Sequence, residues 1–593
     1  MEKVVKKDFS QKKGVISNTH GFLSVYLDGG FKEKWSGYWS PSHKYLDYFA
    51  AKTNGEWLTE KNLTQTKYGE KITQTHQTSN LEIKQEITCP VNTPGFKIKY
   101  TIKNNSKEKK AVKTSLETGI DIRPRTEDIG GQNYNINSRE IGIKVDNNGK
   151  WISLSGKKFK FEEQSHIKEH YPGEKQKCVI PGKIHWKTEL KPNEEEEASI
   201  LFKTDGGSQT NVEKPISELK SRKLGDTFED CCSSLENLYY GKNKSGIIAG
   251  HPWFQNYWAR DSFWTALGMI DAGMFEEVEK MLLNFAEREV PSMIRTDGTT
   301  ETEYPRSDTI PLYALAAEKL ERHYKPNPRI METAEKLLEK QKPEEKIVDN
   351  HEDGTWMDTL KRKKAIDIQS LWIEALKKHG KNTQKLEKGL EKFKKQSYLK
   401  DNLENDFESI NPAIPIMFNQ TNSDETKKYL EKINAEFSST YGARTRSATD
   451  PGYHSSGYHT GSVWGLTTCW AAAANLRHGN KKQGINFLEK MTQFTCRNQL
   501  GALPELVDAE TGESLGCSEQ AWSAGMFIHT IDTYLLGIKV ENTEKIKIQP
   551  VEGINMTRKK KKIGDKKIDI HVEDGKINIP DKKGIKVEEK TKC

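Results

Sequence analysis

Two periodicities divide the chain. From about residue 22 to 204 apolar positions recur every second residue: Leu81, Ile83, Gln85, Ile87 and Cys89 fall on one face, and Phe96, Ile98, Tyr100 and Ile102 repeat the alternation after a turn at 92–95. Period two is the signature of half-buried strands. Turn clusters at 103–106, Gly130-Gly131 and 147–149 punctuate the pattern. The reading is an antiparallel β-sandwich over 1–205. A charged, helix-compatible linker is expected over 206–245. Beyond it the period becomes 3.6, and helices are predicted at 263–272, 275–289, 309–323, 330–340, 365–378, 382–394, 424–437, 463–477, 481–498 and 520–536. They come in pairs with the Gly, Pro and aromatic motifs in the loops between them. That arrangement predicts an all-α toroid over 246–537 with a site at its mouth. Alternation returns at Ile546, Ile548 and Pro550 and again at Ile568, Ile570 and Val572, giving a small β appendage over 538–593.

Composition narrows the setting. A chain of 593 residues exceeds one ordinary core. Its longest apolar run, 469–474 and its flank, falls far short of the roughly 20 residues of a membrane span. The charged opening MEKVVKKDFSQKKG lacks the apolar core of an export signal. Eight scattered cysteines show no CxxC pair and no zinc spacing, so free thiols in a reducing cytoplasmic compartment are expected. The net charge of +8 arises from 93 basic and 85 acidic residues interspersed along the chain, which points to solvated faces and not to a nucleic-acid groove. The one dense basic run, 558–562, is expected to be an exposed hairpin tip. No metalloprotease, nucleophile-elbow, Walker or dinucleotide motif is present, so neither metal nor cofactor is called for.

Four stretches carry the chemistry: HPWFQNYWARDSF from His251, GTWMD from Gly354, GYHTGSVW from Gly457 and LPEL from Leu503. Each sets Trp or Tyr beside carboxylates, Arg or His. Aromatic faces stack on the apolar face of a sugar ring while charged and amide groups bond its hydroxyls. A carboxyl at Asp358, directly after Trp356 and Met357, would be desolvated against apolar surface and kept protonated, as a general acid must be. Its plainer reading is a helix N-cap. Glu505 follows a proline that keeps the segment out of a helix, and its plainer reading is a surface loop. Glycoside hydrolysis in most families uses two carboxyls across one bond, and these two lie on separate helix-connecting loops. Arg260 and Asp261, beside Trp258, offer a fork of donors and two acceptors for neighbouring hydroxyls, or else an ion pair under a helix start. Asp308, Gln369 and His459 lie in similarly placed turns. Trp253, Trp258, Trp356 and Trp464 are core residues or sugar platforms.

At these residues the chain resembles the glucosidase domain of glycogen debranching enzymes, the amylo-α-1,6-glucosidase family, related in fold to glucoamylases. The resemblance runs from about 246 to 536, and more loosely over the sandwich. It rests on ordered motifs: PWF then RDSF, RSDTIPLY, TWMD, IQSLW, YHTGSVW, and LPEL followed by GCSEQAWS. It implies a β-sandwich before an (α/α)6 barrel and hydrolysis with inversion. Asp358 then corresponds to the general acid and Glu505 to the general base. Arg260 and Asp261 resemble the clamp on a terminal glucose. Trp258 and Trp356 are expected to flank that glucose, with Trp464 nearby, and Asp308, Gln369 and His459 to line the same subsite. The family's proline after VW is Gly465 here.

The resemblance makes an α-glucan such as glycogen or a limit dextrin the expected partner, with no nucleic acid and no membrane. Bifunctional members also carry a transferase barrel, for which this chain has no room. The expected activity is removal of a single glucose stub at an α-1,6 branch. The alternatives are another exo-α-glucosidase of glucoamylase or trehalase type, and a glycan-binding protein without activity.

Overall fold

Leu81, Ile83, Gln85 and Ile87 all turn inward from the strand Leu81–Thr88, as do Phe96, Ile98, Tyr100 and Ile102 from Gly95–Asn104. The two strands run antiparallel with Ile87 opposite Ile98 and Ile83 opposite Ile102. Gln85 is tolerated on this face because its amide donates to Gln74 Oε1 at 2.7 Å, and Gln74 donates in turn to the Leu27 carbonyl at 2.9 Å. Gly95 turns the chain at φ +145°, where a Cβ would lie 1.9 Å from the Phe202 carbonyl oxygen. The computed structural model describes all residues except 1, 128–133, 140–141, 168–177, 206–216, 242–244, 302–306, 341–345, 396–397, 498 and 590–593. The turn expected at Gly130-Gly131 and parts of the expected linker lie outside the described residues. Within them, the N-terminal strands form antiparallel sheets of nine and eight strands. Their inner faces share one core, in which Phe96 stacks on Phe202 at 4.3 Å and Phe49 on Phe96 at 5.9 Å.

Twelve α-helices follow among the described residues: α1 Gly225–Asn237, α2 Ala259–Ala272, α3 Phe275–Ala286, α4 Thr309–His323, α5 Pro328–Leu338, α6 Ile366–Lys378, α7 Gln384–Leu390, α8 Ala413–Met417, α9 Ser423–Lys432, α10 Gly465–Arg477, α11 Lys481–Thr492 and α12 Ala521–His529. The even-numbered helices form a ring in which each packs on the next and α12 closes on α2. Every residue of α2 and of α12 is buried, as inner staves of a closed barrel require. The closure is glycine on glycine: a Cβ on Gly268 would sit 1.9 Å from the Gly525 carbonyl oxygen. Odd-numbered helices pack outside, α3 and α5 against α4, α7 against α6 and α11 against α10. This is the (α/α)6 barrel. Helix α1 formed from the charged segment expected to be a linker, and α8 is too short for its period to register. Several predicted helices end in tighter or wider turns, 3₁₀ at Glu391–Phe393 and Gln493–Cys496 and π at Ile433–Phe437 and Thr530–Leu535.

By internal contacts one unit comprises Met1–Asn211, Tyr240–Asn243 and Arg497–Leu500; the other comprises Val212–Tyr239, Lys244–Cys496 and Gly501–Cys593. The C-terminal strands thus cluster with the helices. They form two small sheets, one from Glu218–Lys220, Met556–Ile563, Lys566–Glu573 and Lys576–Asn578, the other from Ile538–Asn542, Lys545–Ile548 and Lys586–Glu589.

The basic run at 558–562 corrects the expectation of an exposed tip. It lies in the strand Met556–Ile563, and the side chains of Arg558 and Lys561 are fully buried. Arg558 Nε donates to Asp532 at 2.8 Å, and Lys561 Nζ donates to Asp271 at 3.0 Å and to Asp532 at 2.9 Å. Two cations are buried here because two barrel carboxylates need them.

Candidate active site

Three inner helices, α2, α10 and α12, begin directly after a short strand of a motif. Tyr257–Trp258 forms a short strand paired with Met293–Ile294, and α2 starts at Ala259, so Arg260 and Asp261 fall in its first turn. Glu519–Gln520 pairs with Gly250–His251 before α12, held by His251 Nδ1 and Glu519 at 2.9 Å. Val463–Trp464 pairs with Leu506–Val507 before α10, which brings Glu505 alongside: the Gly465 amide donates to its backbone oxygen at 3.3 Å. The proline of LPEL keeps its carbonyl free to accept from Ser523 Oγ at 2.9 Å.

The loop bearing Asp358 is pinned from beneath. Buried Arg362 donates to Asp401 at 2.6 Å, to Asp367 at 2.7 Å and to Thr355 Oγ1 at 2.7 Å. Asn411 links the same Asp401 at 2.7 Å to Trp356, whose Nε1 donates to Asn411 Oδ1 at 2.7 Å. A four-residue motif is thereby held on one closed polar network.

These elements converge on a cleft of about 80 Å³ lined by Phe254, Trp258, Arg260, Asp261, Trp356, Asp358, Tyr458, His459, Trp464, Glu505, Gln520 and Trp522. Glu505 is buried; Tyr458 donates its hydroxyl to Oε1, and the Cys517 amide donates to Oε2 at 2.9 Å. Burial outweighs those bonds and pushes the Glu505 carboxyl up to about 7, with the charge of Asp358 adding to the rise. Asp261 is likewise pushed by burial up to about 7, against the pull of Arg260. Its Oδ1 accepts from Gln520 Nε2 at 3.0 Å. Burial, then Arg260 and Arg362, hold His459 well below the usual imidazole range, so it is neutral. Its Nδ1 meets Thr359 Oγ1 at 2.7 Å. Among the described residues, four buried polar atoms of the cleft lack a protein partner: Arg260 Nη2, His459 Nε2, Gln520 Oε1 and Trp522 Nε1. Such atoms suit hydroxyls of a polyol.

Several expectations change. Asp358 is not sunk against apolar surface; its side chain is 36% exposed, with Oδ2 3.5 Å from Arg260 Nη1. Arg260 pairs with Asp308, not with its neighbour Asp261. Asp308 therefore braces the guanidinium and does not line the cleft. Gln369 is fully buried elsewhere: it accepts from the Val348 amide at 2.8 Å and donates to the carbonyls of Lys346 at 2.9 Å and Leu386 at 2.8 Å. All of its polar atoms are engaged in tying the chain to α7. Trp356 and Trp464 are core residues, 3% and 1% exposed, that meet edge to face at 5.4 Å and show the cleft only part of their rings. Trp258 is half-buried, with Phe254 set edge-on at 6.4 Å.

Tyr458, Gln520, Trp522 and Phe254 went unassigned in the sequence. Tyr458 stands beside His459, and Gln520 and Trp522 lie within GCSEQAWS, so the motifs held the signal. Their roles depend on partners 47 and 259 positions away in the chain, Glu505 and Asp261. Among the described residues no group of three or more His, Cys, Asp or Glu is placed to hold a metal ion. Among the described residues no helix is long and apolar enough to cross a membrane.

Comparison with known proteins adds the following. Residues 221–425 match the family model of amylo-alpha-1,6-glucosidase, and residues 370–523 match that of the mannosylglycerate hydrolase MGH1-like glycoside hydrolase domain. No curated protein sequence matches the chain. In structure it is similar to a bacterial glucoamylase complexed with acarbose, at TM-score 0.57 and 12% identity over 90% of this chain and 97% of that one. It is also similar to a protein described as a kojibiose phosphorylase from the human microbiome, at TM-score 0.63 and 9% identity over 98% and 95%. At these identities the likeness is one of fold. The family models match over the barrel and the neighbours share its fold, so the chain carries a glycoside hydrolase family domain of six-hairpin fold.

Proposed function

We propose that the protein is an inverting exo-α-glucosidase that removes terminal glucose from α-1,6 branch points of an α-glucan. The observation that carries this is the pairing, across one small cleft, of an exposed carboxyl on Asp358 with a buried one on Glu505 whose affinity for a proton is raised to near neutrality. The cleft is small, about 80 Å³, and ringed by Trp258, Tyr458 and Trp522, which favours action at a chain end over binding along a length of chain.

Arg260, fixed by Asp308, and the amide of Gln520 hold the ring's hydroxyls, with Trp258 and Phe254 against its apolar face. Asp358 protonates the leaving glycosidic oxygen while Glu505, ionised, takes a proton from the attacking water on the opposite face. An α-glucoside then yields β-glucose. Inversion calls for carboxyls standing roughly 6.5–9.5 Å apart. Tyr458 holds the Glu505 carboxylate by its hydroxyl, leaving the other oxygens of the site to orient the water. Asp358→Asn and Glu505→Gln are each expected to lower turnover by about 10² to 10⁴-fold or more. The match over 221–425 supports the branch-point reading.

A second reading keeps the mechanism and changes the substrate. The match over 370–523 to a mannosylglycerate hydrolase-like domain, together with the small cleft, favours a small α-glycoside or a linear chain end. Comparing glucose release from a glucosyl-branched maltooligosaccharide, a linear maltooligosaccharide and α,α-trehalose separates the two; preference for either of the latter rejects the debranching assignment.

A further inference from the structure

The helical unit holds a second cavity, larger than the cleft. It measures about 650 Å³, within the range of small-molecule sites, and lies where the inner helices end. Residues at or just before the N-termini of α2, α10 and α12 line the cleft, whereas residues from the C-terminal parts of the inner helices, such as Arg322, Phe418 and Leu476, wall this cavity. Its charged heads are mostly cationic, Lys319, Arg322, Lys378, Arg477, Lys539 and Lys547 against Glu318 and Glu374.

Part of that charge has a local purpose. Arg322, Lys378 and Arg477 stand in the last turns of α4, α6 and α10, where cations offset the helix dipole. Lys539 and Lys547 belong to no helix. They come from the strands Ile538–Asn542 and Lys545–Ile548, whose register sets them directly opposite each other, an unfavourable pairing of like charges. Lys547 is neutralised by Glu541 at 2.6 Å and Glu588 at 3.2 Å. The ammonium of Lys539 has no ion pair or hydrogen bond among the described residues. The carboxylates facing the cavity are already used, Glu318 by Arg322 and Glu374 by Lys378 at 3.7 Å. Of the other lining groups, Lys319 and His529 are bound to buried Asp271 at 2.7 Å and 2.8 Å, and burial holds His323 and His529 in the neutral form. Burial, then the charges of Lys378 and Arg322, lower the proton affinity of Lys539, against the pull of Glu541.

We propose that this cavity is a second binding site, distinct from the cleft, for a small organic anion bearing two or more negative charges, recognised by Lys539 with Arg322, Lys378 and Arg477 over apolar walls. Phosphate esters and polycarboxylates share that chemistry. The test uses the whole protein, with glucose 6-phosphate and citrate as probes and glucose and sodium chloride at matched ionic strength as controls, read by calorimetric titration and thermal shift. At least one probe is expected to bind saturably and raise the melting temperature where sodium chloride does not. Lys539→Glu should weaken that binding by about tenfold or more, the loss of a charge-assisted contact. Binding of glucose 6-phosphate alone would assign phosphate esters, and binding of citrate as well would assign the broader class. Lys539→Gln serves as the second variant, and basal glucose release should be unchanged in both. Absence of binding by both probes, an equal response to sodium chloride, or undiminished affinity in the Lys539 variants would overturn the proposal.

Discussion

Glu505 combines two properties that usually conflict, burial and the need to carry charge. Its carboxyl is pushed up to about 7 by burial, so the base is ionised only above neutrality. The acidic limb of kcat/KM is therefore expected near pH 7 and not near the ordinary glutamate value of about 4.3. The Tyr458 bond favours the charged form, so Tyr458→Phe should move that limb to higher pH, measured as a pH–rate profile; a limb that stays in place would remove Tyr458 from the mechanism. The same burial has a cost for stability. A carboxyl raised in the folded state contributes fully below its unfolded pKa and loses that contribution as pH rises toward 7. Glu505→Gln is thus expected to be more stable than the parent at pH 8, by on the order of 1–3 kcal/mol, and to show no such gain at pH 4. Urea midpoints at the two pH values check this.

At the scale of elements, the barrel closes where α2 and α12 approach most tightly. The carbonyl of Gly525 reaches α2 only because position 268 has no side chain, so Gly268→Ala should force α2 and α12 apart at a cost of roughly 1–3 kcal/mol. A melting temperature unchanged from the parent would show that the ring is not closed there. Arg362→Met would strand Asp367 and Asp401 as buried charges, and a loss of about 3–5 kcal/mol is expected. Much at this scale was legible in the sequence. Helix α4 spans the residues predicted for it, because a run of helix formers starts after Asp308 and ends in basic residues. Helix α8 was not legible, since five residues are too few for a 3.6 period to register. The start of α2 was placed late because all of its faces are buried and no polar stripe marks where it begins. Asp358 and Glu505 were legible because each sits in a compact motif. The environment of Asp358 was not: its exposure depends on a loop pinned by Asp401 and Asn411, more than forty positions on. Gln369 sat in a matching motif, but its bonds to three backbone groups take it out of the cleft.

The helical unit has two ends, the cleft with Asp261, Asp358 and Glu505 at one and the cavity walled by Arg322, Lys378 and Arg477 at the other. The basic run at 558–562 looked like surface because its partners, Asp271 and Asp532, are remote in sequence. Buried as they are, Arg558 and Lys561 make the C-terminal sheet part of the barrel's charge balance. A chain ending before Met556 is expected to lose its cooperative unfolding transition, monitored by circular dichroism, because Asp271 and Asp532 would each lose a buried counter-charge. A truncated chain that melts like the parent would mark the strands as dispensable.

The central claim is that Asp358 and Glu505 cleave a terminal α-glucoside with inversion. Its most direct test is NMR of the anomer released from a glucosyl-branched maltooligosaccharide by the parent and by Glu505→Gln. The account predicts β-glucose from the parent and loss of release in the variant. Release of α-glucose, or full activity in the variant, would contradict it.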